Sequence, residues 1–167
     1  MTNADAWRKA FAVQAKADFE TWEILQDCPD VAKCHKLQFL QMACEKLAKA
    51  HLYDAGSQPA KSHAYFGKNF PKIAEYYYAR AGISGGKYRK LYQPLRPLAG
   101  EIECLSPSVD NNGKRRDNCE YPWEESGGAI RIPAEYTFPN LNLLTAPNGR
   151  QLLKIVKEVI DYLTSSQ

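Results

Sequence analysis

A chain of 167 residues, 44% hydrophobic and 25% charged, is long enough to build one core without disulfide or metal staples. Its net charge of +3 is too small to argue nucleic-acid binding by itself, and no apolar run approaches the ~20 residues that a membrane span needs. The five cysteines (Cys28, Cys34, Cys44, Cys104, Cys119) are odd in number and lack a C-x-x-C pair, which argues against a disulfide scaffold or zinc ribbon and for a reducing, cytoplasmic setting.

Met1 to Asp5 reads as the start of a polar amphipathic segment and not as a signal peptide. Asn3 or Asp5 is the expected cap of a first helix running to about Gln26, with Trp7, Phe11, Phe19, Trp22 and Leu25 on its buried stripe. Such an aromatic payload predicts packing over most of the helix. Pro29 suits the start of the next helix, with Asp30 at its positive end. That second helix runs to about Tyr53, free of Gly and Pro. Leu37, Leu40, Cys44, Leu47 and His51 recur on one face, with Ala43, Ala48 and Ala50 beside them. Small residues there predict a central helix that its neighbours approach closely. Gly56 is placed to end it.

Ser62 is the expected cap of a short helix through Phe66, broken at Pro71, where another begins and covers Ile73, Tyr76, Tyr77 and Ala81. Gly82, Gly85 and Gly86 form a turn. A fourth segment from Lys87 to Leu105 has Tyr88, Leu91, Leu95 and Leu98 at helical spacing, but Pro94 and Pro97 each remove a backbone donor. It therefore predicts an interrupted or kinked helix. Residues 106–118 form a loop holding the one tight basic run, Lys114-Arg115-Arg116. The segment 119–139 is irregular, with Ala129 to Ile132 alternating as a short strand or strap. A last helix runs from about Pro147 or Asn148 to Leu163, striped by Leu152, Leu153, Val156, Val159, Ile160 and Leu163. The expected architecture is all-α: a single domain over 1–167, an up-and-down bundle of four or five helices with an irregular insertion before the C-terminal helix.

The order of these features resembles the HEPN superfamily. The carriers are MACEKLAKAHLYDAG, then KSHAYFGKNF, and later Asn118-Cys119-Glu120-Tyr121-Pro122-Trp123-Glu124, which is similar to that family's Tyr-Pro loop before the last helix. The resemblance spans roughly 38–163. It implies a helical bundle that is either a ribonuclease or a protein acting by association, as a homodimer or as a subunit of a bacterial toxin–antitoxin or defence-type module. The family's ribonuclease signature is an Arg followed four to six residues later by a His. No Arg stands so before His35, His51 or His63. Lys46 to His51 has the count, but a five-residue step turns side chains about 140° apart on a helix. The expected function is therefore association without catalysis. The first alternative is a ribonuclease in which His63 is served by a cation from another helix or protomer, Lys61, Arg80 or Arg89. The second is an RNA- or nucleotide-binding module without catalysis.

Lys114, Arg115 and Arg116, with Lys87, Arg89, Lys90 and Arg96 as a second group, are the candidate ligand contacts for a phosphate backbone. Tyr121 and Trp123 are candidate interface anchors, or else pins that hold the loop to the bundle. Cys34 and His35 lack a second ligand pair, so no metal and no cofactor is expected. His51 reads as a core or rim histidine, and His63 as a helix-start histidine or a site residue. The sequence Gly82 to Gly86 lacks the Lys-Ser/Thr of a phosphate loop.

Overall fold

Thr2 opens the fold by capping the first helix. Its hydroxyl accepts the Asp5 N–H at 3.2 Å, while the Asp5 carboxylate accepts from the Thr2 N–H at 2.9 Å, a reciprocal capping box. The structure, a computed structural model, describes residues 2–56, 63–83, 86–109 and 117–165. Helix α1 spans Asn3–Gln26 and buries Ala12, Ala15, Asp18 and Phe19. Its aromatic face is less buried than its composition predicts: Trp7 is 49% exposed and rests on Phe11, which stacks in turn on Tyr53.

Helix α2 spans Lys33–Asp54 and starts later than Pro29 suggests. Pro29 and Asp30 belong to a turn in which the Val31 N–H donates to the Cys28 carbonyl, and the cap position, Ala32, offers no side-chain acceptor. As expected, α2 is central, touching α1 and the helices at Phe66–Arg80, Arg96–Glu103 and Pro147–Ser165. Ala43, Cys44, Ala48 and Ala50 are fully buried along it.

Helix α3 spans Phe66–Arg80 and continues through Pro71, where a break was expected. Two facts account for its continuity. Phe66, Phe70, Ile73 and Ala74 are all buried on one stripe, and the Glu103 carboxylate accepts the Gly67 N–H at 3.0 Å. The cap of α3 thus comes from another helix, which no local pattern announces. Gly67 also sits where a Cβ would lie 3.1 Å from the Gly100 Cα, so two glycines let these helices cross closely.

The prolines do interrupt the next segment. Helix α4 (Lys87–Tyr92) passes through a 3-10 turn at Gln93–Leu95 into α5 (Arg96–Glu103). After α5, the Cys119 N–H donates to the Leu105 carbonyl at 3.0 Å and returns the chain to the bundle. Strands β1 (Trp123–Glu124) and β2 (Ile130–Arg131) pair antiparallel, Trp123 opposite Arg131 and Glu124 opposite Ile130. A ladder of edge-to-face rings then pins this segment: Trp123 on Tyr136 at 4.9 Å, Tyr136 on Phe138 at 5.0 Å. Phe138 is 1% exposed and adopts a left-handed φ of 47°, a strained conformation that ring burial holds in place.

Helix α6, Pro147–Ser165, closes the bundle, burying Leu152, Ile155, Val156, Val159, Ile160 and Leu163. Pro147 is its first residue, so the cap precedes Asn148. A Cβ at Gly149 would fall 2.2 Å from the Leu143 carbonyl oxygen, so only glycine fits there. The molecule is thus an all-α helical bundle whose irregular segment lies before the last helix. Among the described residues, no helix is long and apolar enough to cross a membrane.

Candidate functional site

Gln41, Glu45 and Lys49 recur at four-residue steps, so they line one stripe of α2 beside its apolar face. His63 reaches this stripe from the segment preceding α3. Glu45, with its side chain 9% exposed, is the hub: Lys49 Nζ donates to one carboxylate oxygen at 2.7 Å. His63 Nδ1 lies 2.8 Å from the other, which also accepts from Gln41 Nε2 at 3.2 Å. Burial pushes the Glu45 carboxyl up, but the bonds from Lys49 and His63 and the Lys49 charge outweigh it. The group is held below its ordinary value and stays ionised at neutral pH.

Lys49 is itself 13% exposed, and its ammonium lies 5.7 Å from the Phe11 ring centre and 5.8 Å from that of Tyr65. Two aromatic faces and a carboxylate therefore surround that charge. The His63 side chain is half-exposed. A rigid carboxylate behind an accessible imidazole can fix its tautomer and support proton transfer at the other ring nitrogen. The same contact also ties the residues before α3 to α2.

The other candidates are dispersed. Lys46 and His51 face different neighbours, as the helical turn between them requires. Lys46 Nζ bonds Asp18 at 2.5 Å on the α1 side, with Gln14 on the second Asp18 oxygen at 3.0 Å. His51 packs edge-on against Tyr76 at 5.6 Å, and its Nδ1 has no hydrogen-bond partner among the described residues. Desolvation lowers its pKa, so it is neutral in the fold at neutral pH. Arg80 terminates α3, whose length is about 22 Å at 1.5 Å per residue. It stands at the opposite end of that helix from His63.

Lys87 and Arg89 lie exposed on α4, with Lys90 and Arg96 exposed nearby. Tyr88 and Tyr92 are interleaved with them, stacked at 6.2 Å, and the Tyr88 hydroxyl donates to Glu75 at 2.7 Å. Lys61, Lys114, Arg115 and Arg116 lie outside the described residues. Tyr121 is 62% exposed, whereas Trp123 is buried against Tyr136 and anchors the segment. Cys34 is buried with its thiol pushed up by desolvation, and His35 is exposed. No group of three potential metal ligands occurs among the described residues.

Sequence reading missed Glu45 as a site residue, using it only as part of the MACEKLAKAHLYDAG segment that carries the resemblance. Its four-residue spacing from Gln41 and Lys49 was the available signal. Compared with models of known families, with curated proteins and with solved structures, the chain finds no match.

Proposed function

We propose that this chain is a HEPN-like helical bundle that acts by association, as a homodimer or as a subunit of a bacterial toxin–antitoxin or defence-type module. The carrying observation is the way residues 117–146 are presented. Trp123, Tyr136 and Phe138 fasten the segment to the core, while Tyr121, Ile130 and Ile132 stand 62%, 63% and 45% exposed on it. Apolar side chains displayed on and beside a pinned two-stranded hairpin are suited to burial by a partner. Sedimentation velocity tests this directly. The wild-type chain, alone or co-expressed with the product of a neighbouring gene, forms a complex that Ile130→Glu dissociates. A chain that sediments as a monomer under both conditions overturns the proposal.

A second reading, a ribonuclease with a cation supplied in trans, is favoured by the His63–Glu45 pair. In it His63 moves the 2′-hydroxyl proton, and a partner's cation, with Arg89 or Lys61 as candidates, stabilises the phosphorane charge. Lys49 is already engaged by Glu45. Total RNA incubated without divalent ions distinguishes the two. Cleavage abolished by His63→Ala and slowed by Glu45→Gln would establish the second reading and sink the first.

A further inference from the structure

Away from the His63 network, helices α3 and α6 bound a cleft of about 250 Å³, lined by Tyr76, Tyr77 and Arg80 on one wall and Glu158 and Tyr162 on the other. The Arg80 guanidinium carbon lies 3.4 Å from the Tyr162 ring centre and 6.0 Å from that of Tyr76. Stacking of this kind fixes the guanidinium plane and leaves its in-plane N–H groups to meet an anion. Among the described residues no carboxylate lies within 4 Å of Arg80. Glu158 shares the cleft, is 53% exposed, and makes its ion contact with Lys154 at a long 3.8 Å.

Two opposite charges thus share one small aromatic-walled cleft without pairing to each other. A simple anion meets repulsion from Glu158, and a simple amine meets it from Arg80. A ligand carrying both charges gains from each wall. We propose that this cleft binds a free zwitterionic amino acid with an aromatic side chain. Its carboxylate meets the Arg80 fork, its ammonium meets Glu158, and its ring packs among the tyrosines, Tyr77 being the one not engaged by Arg80. The inference is independent of the association reading, since it uses none of the residues on the 117–146 segment.

Calorimetric titration of the full chain with L-phenylalanine, N-acetyl-L-phenylalanine and L-phenylalaninamide tests both charge contacts. L-phenylalanine binds saturably, and each blocked derivative binds about tenfold more weakly, the loss of one charge-assisted contact. Arg80→Ala no longer distinguishes the amide from the free acid, and Glu158→Gln no longer distinguishes the acetylated compound from the free amine. Both side chains are exposed, and thermal melts of the two variants check that the fold is retained. The absence of saturable heat with L-phenylalanine in the millimolar range overturns the proposal. Derivatives that bind the wild-type chain as well as L-phenylalanine does also overturn it.

Discussion

His63 and His51 both depend on α2, yet the fold treats them in opposite ways. His63 is half-exposed and hydrogen-bonded to a carboxylate that three side chains hold in place. His51 is 93% buried, edge-on to a tyrosine, with Nδ1 unpartnered among the described residues. The accessible imidazole has the electrostatic support, while the buried one is kept neutral by exclusion from water. Chemistry that needs a proton to move therefore belongs at the His63 end. The His51 end carries packing and a pH-dependent stability.

The most severe disruption of this contrast is Glu45→Ala. It leaves the Lys49 ammonium largely buried beside two rings with its carboxylate gone, and is expected to cost about 3–5 kcal/mol of unfolding free energy by chemical denaturation. An unaltered denaturation midpoint would mean that Lys49 reaches water easily and that the hub is not a hub.

Next comes the pH dependence of His51. Asp54, itself 3.8 Å from Arg8, favours its charge, while burial and Lys72 oppose it, with burial dominant. Its folded pKa lies below its unfolded one. Its contribution to stability is therefore complete above the ordinary histidine value of about 6.5. That contribution is lost as pH falls from there through the lower folded value. His51→Phe should flatten the melting temperature between neutral and mildly acidic pH. An unchanged slope would place the acid sensitivity elsewhere.

The smallest effect is expected from His63→Gln, about 1 kcal/mol or less, since an exposed side chain gives up a bond largely replaced by water. Glu45 would then lose one of the contacts that hold its pKa down. The stability that Glu45 loses on acidification sets in at the unfolded carboxylate value in both proteins, but in the variant it is smaller and is complete at a slightly higher pH. Identical acid titrations of the two proteins would show that His63 does not stabilise the ionised carboxylate.

Much of the bundle was legible in the chain because the signals are local. Pro94 and Pro97 announce the break between α4 and α5, and the stripe from Leu152 to Leu163 announces α6. The start of α2 was misplaced because Pro29 and Asp30 suit a helix start equally well as a turn. Continuity through Pro71 was hidden because it rests on Glu103, a residue far along the sequence. The candidate site was half-legible. His63 stood out through the resemblance, but its partner did not, since nothing local distinguishes a buried glutamate from a solvated one. Tyr121 and Trp123 looked alike in the sequence, each an interface anchor or a pin. The tertiary position of Tyr136 separates them.

The Glu103 cap has a consequence for cooperativity. The opening turn of α3 is completed by the final turn of α5, so neither end is finished until the other has arrived. Breaking that one contact removes a bond that serves the ends of two helices at once. Amide exchange at Gly67 should therefore report on the docking of α5 as much as on the winding of α3.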